Sequence, residues 1–236
     1  MVREKVRIRY RKEGSLRFLS HNDLMRCWDR LFRRAALPVR ASEGFNPRPR
    51  ISCPLALALG VVGVEEIIEV EFTENLTLDE VQSRLARELV PGLEILSVTR
   101  HPAKERTEVV MVEYACPFPT GFSRSAILEA REQLLASSDR KITRHIPGKP
   151  DRVVDIRPLI LDILVLENEV RLRLRVIQGA TARPEEILGA LGMAHLPNEG
   201  MVLARTRVLL ASELTSDERV PSTDCKGALH EERNVD

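Results

Sequence analysis

One pattern of apolar periods runs through this chain twice, and it constrains the fold more than any other feature. Val6-Arg7-Ile8-Arg9-Tyr10-Arg11 alternates apolar and charged residues, the period of a strand with one covered face. Ser20 followed by Asp23 opens a helix over about residues 21–35. Leu24, Cys27, Trp28, Leu31, Phe32 and Ala35 lie on its apolar side, and Pro38 stops it. Residues 38–42 and 50–57 read as extended segments around a turn at Gly44, and Glu66–Phe72 as a further strand. Thr77 with Glu80 caps a second helix running to about Val90, Pro91-Gly92 ends it, and residues 93–99 form a strand. The pattern restarts with a strand at 108–116 and a helix at 123–137 capped by Ser123. An extended stretch from Lys141 to Ile146 leads to a Pro147-Gly148 turn. A hairpin of 159–167 and 170–177 turns at Asn168, a helix begins near Pro184, and a closing strand spans 201–210.

Each pass has the order β-α-β-β-α-β, which predicts an α+β fold of two tandem ferredoxin-like units with antiparallel sheets. The expected bounds are 1–101 and 107–211, joined by a polar linker at 101–106. From residue 212 the chain is polar, mixed in charge and aperiodic, and is expected to be a disordered tail.

The formal net charge of +1 hides a split. Residues 1–50 hold 14 Lys+Arg against 5 Asp+Glu, or +9, and the remainder holds 22 against 30, or −8. Such asymmetry predicts a directional electrostatic surface. The four cysteines, Cys27, Cys53, Cys116 and Cys225, are widely spaced. That spacing argues against a structural zinc site or an iron–sulfur cluster held by this chain, so no cofactor is expected. The charge from Arg3 onward does not suit a signal peptide, and the longest apolar run, Pro54–Val64, is too short to span a bilayer. The expectation is a cytoplasmic protein with no membrane partner.

Arginine supplies the candidate binding residues. Arg7, Arg9 and Arg11, then Arg171, Arg173 and Arg175, then Arg205 and Arg207 alternate along strands. They could face phosphates on an open sheet, or pair with carboxylates such as Glu69 and Glu71 on neighbouring strands. Arg26, Arg30, Arg33 and Arg34 lie mostly opposite the apolar stripe of the first helix. In Gly44-Phe45-Asn46-Pro47-Arg48-Pro49-Arg50 the glycine permits an unusual turn and the prolines stiffen the chain. Arg48 and Arg50 are thereby displayed at low entropic cost. Phe45 is a candidate for base stacking or a buried anchor, and Asn46 for contact with a nucleotide. His21, at the positive end of the first helix, could act as a general base toward a ribose hydroxyl or could simply fill the first turn.

The segment Phe18-Leu19-Ser20-His21-Asn22-Asp23-Leu24, with Arg26, Arg30, Arg33-Arg34, Pro38 and Gly44–Arg50, resembles the radical-SAM-linked protein family. This is a bacterial domain of unknown function found fused to, or encoded beside, a cobalamin-binding radical SAM protein. The family commonly has an apolar residue at the position of Asn22, and often His or Lys at Arg48 or Arg50. The resemblance implies a radical SAM partner. This chain lacks the cysteine triplet of such enzymes, so the radical chemistry would reside in another polypeptide. The family's gene settings, often near ribonuclease and ribosomal protein genes, fit an RNA substrate. The leading expectation is a non-catalytic RNA-binding accessory, with Arg26, Arg30, Arg33, Arg48 and Arg50 on phosphates and His21, Phe45 and Asn46 reading or positioning a nucleotide. Two alternatives stand beside it: an RNA-processing or RNA-modifying enzyme using His21, and an adaptor that docks the radical SAM protein without RNA.

Overall fold

The first strand, β1 (Glu4–Lys12), sends Ile8 and Tyr10 into a core, and the rest of its unit is built around that face. The computed structural model describes residues 4–102, 106–118, 123–145, 148, 150–194 and 200–215. The expected tail beyond residue 215 and the middle of the 101–106 linker lie outside the described residues. The chain divides into two units, Met1–Val109 with Val202–Ala211, and Val110–Met201 with Ser212–Asp236. The fold is α+β, and its strand pairings are mostly antiparallel.

In the first unit, α1 (His21–Arg34) follows β1, then β2 (Ile51–Ser52), β3 (Val62–Val70), α2 (Leu78–Ala86) and β4 (Leu93–Pro102). The strand order is β4-β1-β3, with β1 antiparallel to both neighbours. The other edge of β3 is shared. At one end β2 pairs with Val70 and Glu69; at the other β10 (Ala204–Leu210) runs parallel at Val62 and Gly63. Leu24, Trp28, Leu31 and Phe32 of α1 and Val81 and Leu85 of α2 bury against Val6, Ile8, Tyr10, Ile68 and Val70. Trp28 is the keystone, edge-on to Tyr10 at 5.0 Å and stacked on Phe32 at 5.6 Å.

The second unit contains β5 (Val109–Pro117), α3 (Arg124–Ala136), β6 (Lys141–Arg144), β7 (Arg152–Asp155), β8 (Ile160–Val165), β9 (Glu169–Arg175) and α4 (Pro184–Ala190). Its sheet order is β5-β9-β8, and β6 and β7 form a separate hairpin. Ser123 caps α3 as expected, accepting from the Ala126 N–H, and Pro184 is the first residue of α4.

Several boundaries differ from expectation: the extended stretch 50–57 narrows to β2, the closing strand starts at Ala204 rather than 201, and two further shifts bear on the packing. Helix α2 ends at Ala86 rather than near Val90, where Arg34 takes both the Glu88 carbonyl, at 2.7 Å, and its carboxylate, at 3.1 Å. Strand β3 begins at Val62 rather than Glu66, because Val62 and Gly63 pair with β10 and Gly63 also pairs with β1; within the strand Glu66 turns inward to a buried partner.

That partner is Arg205 of β10, and each side chain is 1% exposed. Arg205 donates from Nε to Glu66 Oε1 at 2.8 Å and from Nη2 to Oε2. It also donates to the carbonyls of Ala56 at 3.1 Å and Leu55 at 2.9 Å. A Cβ on Gly63 would sit 2.4 Å from Glu66 Cγ, so only glycine leaves room for the inward carboxylate. Lys12 and Tyr10 are buried beside this pair. Desolvation, partly offset by Glu66, lowers the Lys12 pKa. Burial raises the Cys53 thiol to about 11.

Most of the strand arginines are matched to carboxylates rather than laid on an open cationic sheet; Arg175 is the exception, buried at 7% exposure with no hydrogen-bond partner for its Nε among the described residues. Arg7 meets Glu69 at 3.1 Å and Arg9 meets Glu65 at 2.8 Å. Arg171 meets Glu169 at 2.6 Å and Arg173 meets Glu113 at 2.9 Å. Glu69 also draws His101 at 3.0 Å, Lys5 at 3.8 Å and the Thr107 hydroxyl.

Candidate nucleic-acid interface

Helix α1 begins where the sequence places it. Ser20 accepts from the Asp23 N–H at 3.2 Å and donates its hydroxyl to Asp23 Oδ2 at 2.7 Å. With the apolar stripe buried, Arg26, Arg30 and Arg33 are left in solvent. Their circumstances differ. Arg26 reaches Asp23 at 3.2 Å, and Arg33 reaches Asp29 at 2.9 Å. These are exposed pairs one turn apart, worth about 0.3–0.5 kcal/mol each. Arg30 makes no ion pair or hydrogen bond among the described residues.

The segment after the helix forms a tight ribbon. Ala41 bridges Pro49 in antiparallel fashion, which sets Arg40 opposite Arg50 and Ser42 opposite Arg48. The Ser42 N–H donates to the Arg48 carbonyl at 2.8 Å, and the Arg48 N–H to Ser42 Oγ at 2.9 Å. Directly opposed and alternate residues of a ribbon share a face. Arg40, Arg48 and Arg50 therefore occupy one face, with Ala41 and Pro49 on the other.

The root of the ribbon is fixed by three backbone hydrogen bonds in a ring. Arg40 N–H donates to the Glu71 carbonyl at 2.7 Å, Glu71 N–H to Arg50 at 3.1 Å, and Arg50 N–H to Arg40 at 2.7 Å. Three chain segments thus meet at one point just past β3. At the far end the turn runs through residues 43–46, and Gly44 adopts φ +129°, open to glycine but strained for other residues. Phe45 beside it is wholly exposed, at 105% of the reference area. Asn46, Arg48 and Arg50 are exposed too, and neither guanidinium has a partner among the described residues. Arg40 comes only within 3.9 Å of the exposed Glu43.

His21 is the first residue of α1 and is exposed, and its ring makes no hydrogen bond or ion pair among the described residues. The sequence reading passed over Arg40. Its signal was present: folding 38–42 back on 48–50 about Gly44 puts Arg40 in register with Arg50. Among the described residues no group of three His, Cys, Asp or Glu side chains is placed to hold a metal ion, and no helix is long and apolar enough to cross a membrane.

The arrangement is thus a braced ribbon with three guanidinium groups on one face and an aromatic ring at its tip. A family model described as "Uncharacterized protein conserved in bacteria (DUF2344)" matches residues 5–184 and so includes the whole ribbon. No curated protein matches the chain. Among solved structures, an unknown protein from Galdieria sulphuraria is similar at 15% identity and a TM-score of 0.25, covering 89% of this chain and 99% of that one. At that score the likeness carries no argument.

Proposed function

The chain belongs to the DUF2344 family of uncharacterized bacterial proteins, and from that premise we propose that it is a non-catalytic, cytoplasmic RNA-binding accessory of a radical SAM enzyme, serving tRNA or rRNA modification or processing. The observation that carries the RNA reading is the contrast in arginine partners. Arg30, Arg48 and Arg50 are exposed and without carboxylates among the described residues, while Arg7, Arg9, Arg173 and Arg205 are matched. Unmatched guanidinium groups on a braced support suit phosphate oxygens, which they bind as a fork.

In this reading Arg40, Arg48 and Arg50 form the principal phosphate contact and Arg30 extends it along α1. Arg26 and Arg33 join by exchanging a weak carboxylate contact for a phosphate. His21 contributes a contact rather than proton transfer, since no neighbour among the described residues orients its ring. The radical SAM partner is supported by the resemblance of residues 18–50. The finer reading of the fold, two ferredoxin-like units, is supported by the order β4-β1-β3 with β2 beside β3 in the first unit, and by β5-β9-β8 in the second.

Replacing both Arg48 and Arg50 by Ala tests the proposal. RNA affinity should fall about tenfold at low salt. The slope of log K against log salt should flatten by about 0.7 for each phosphate of a single strand that is no longer neutralised. Thermal stability should stay within about 0.5 kcal/mol of wild type, because both side chains are exposed. Unchanged affinity and slope at several salt concentrations would overturn the RNA reading. Capture of a radical SAM protein that survives nuclease but is lost in Arg30→Glu would favour the adaptor reading instead.

A further inference from the structure

We infer that the ribbon takes single-stranded RNA, with Phe45 as the platform on which one unstacked base lies. The inference rests on the RNA reading above and narrows its substrate class. The carrying feature is the tip. Tyr10, Trp28 and Phe32 are buried in the core of the first unit, Phe72 packs edge-on against Phe32 at 6.2 Å, and Phe18, though 60% exposed, carries the Arg17 guanidinium over its ring at 4.6 Å. Phe45 has no such company; both faces of its ring are open to water.

A lone exposed apolar residue is ordinary on a floppy loop. This one sits on a support that is restrained at both ends. The ring of hydrogen bonds among Arg40, Glu71 and Arg50 holds the root, and the reciprocal pair between Ser42 and Arg48 closes the ribbon below the turn. Pro47 confines its own backbone and that of Asn46 before it. Little freedom remains to be lost when a ligand engages the tip.

The neighbours of the ring decide which ligand fits. Arg48 and Arg50 are two residues apart on one face, about 6.8 Å along an extended strand, so they can meet successive phosphates. Asn46 beside the ring offers both a donor and an acceptor to a base edge. A phosphate track beside an open aromatic ring is how single-stranded nucleic acid is held without a deep pocket. A duplex of A-form geometry keeps its bases stacked inside and shows proteins mainly its backbone and a shallow groove, so it would meet the arginines and leave Phe45 idle.

The test uses the full chain with a labelled twelve-nucleotide RNA, free or annealed to its complement, read by fluorescence anisotropy at two salt concentrations. The single strand should bind more tightly than the duplex. Phe45→Ala should weaken the single strand roughly 5- to 150-fold with the salt slope unchanged, and should leave duplex binding as it was. Phe45→Trp should restore the preference. Equal affinity for both forms, with Phe45→Ala moving neither, would overturn this inference and leave the RNA reading standing. Absence of salt-dependent binding to either form would overturn both. The arginine variants discriminate further: Arg48→Ala with Arg50→Ala lowers both affinities and flattens both slopes, whereas Phe45→Ala acts on one form alone.

Discussion

Arg205 and Arg50 are both arginines of the first unit beside strand β3, yet they are used in opposite ways. Arg205 is 1% exposed and gives its guanidinium to the Glu66 carboxylate and to two backbone carbonyls. Arg50 uses its backbone in the ring at the ribbon root and leaves its guanidinium in water without a partner among the described residues. A cation in the interior must be matched, because desolvating an unpaired charge costs several kcal/mol. A cation at the surface carries no such requirement, so the absence of a carboxylate beside it leaves it available. For Arg205 and Arg50 it is the partners, rather than count or spacing, that separate the arginine that builds the fold from the one that could meet a ligand; Arg175, buried with its Nε unpartnered among the described residues, falls outside that division.

The sharpest way to break that distinction is to remove the partner of the interior arginine. Glu66→Ala leaves Arg205 buried without its carboxylate, and should cost about 3–5 kcal/mol of unfolding free energy by urea titration. The double replacement Glu66→Leu with Arg205→Met removes the charges together and should recover part of that loss. Recovery stays incomplete because the carbonyls of Leu55 and Ala56 lose their donor. The same substitution logic at the ribbon, Arg50→Met, should leave stability nearly unchanged. A Glu66→Ala variant as stable as wild type would show that Arg205 escapes to water, and the contrast would fail.

Alkaline pH sharpens the comparison from another side. Burial raises the Cys53 thiol, beside the Arg205–Glu66 pair, from 9.0 to about 11. The folded state therefore holds this proton more tightly than the unfolded chain. The resulting stability is fully present below pH 9 and is lost as pH rises through about 11. Lys12 acts in the opposite sense. Its pKa is lowered from 10.5 mainly by desolvation, so stability rises with pH from its folded value up to 10.5. Cys116, also raised to about 11 by burial, adds to the fall. The net expectation is a Tm that drops between pH 9 and 11, with Cys53 accounting for on the order of 2 kcal/mol. Cys53→Ala should flatten that drop. In native protein below pH 9 Cys53 should resist thiol reagents that modify it on unfolding. Equal drops in wild type and Cys53→Ala would remove the thiol from the account.

How legible this was in the sequence depends on the kind of signal. Helix α1 was readable because Ser20, Asp23 and the apolar stripe all specify it locally. The cross-strand match of Arg7 with Glu69 followed from period and parity. Glu71, at the same parity, instead lends its backbone to the ribbon root. Glu66 shares the inward parity of Ile68 and Val70, a signal that the expected strand 66–72 contained but that was not read as a buried carboxylate. What the sequence lacked was the identity of its partner, 139 residues away on β10. Strand β7 was missed because its short run Arg152–Asp155 has no apolar alternation of its own and is held by pairing with β6. At the candidate site the residue types and the stiff turn were visible. The shared face of Arg40, Arg48 and Arg50 required the register of Ala41 with Pro49.

The mildest expected effect lies between the two extremes, at Arg33. It is exposed and paired with Asp29 one turn away at 2.9 Å, so it belongs neither to the fold nor to the unmatched set. Asp29→Asn removes the carboxylate and keeps the shape. Stability should change by about 0.3–0.5 kcal/mol, the worth of one exposed helical pair. If partners decide availability, the same change should free Arg33 for phosphate. RNA affinity at low salt should then rise by a factor of about 2, and the salt slope should steepen by up to about 0.7. Asp29→Asn with Arg33→Ala should abolish the gain. A rise that persists in the double variant would assign the effect to the lost negative charge acting at long range. The partner rule would then hold for buried arginines and not for those on the surface of α1.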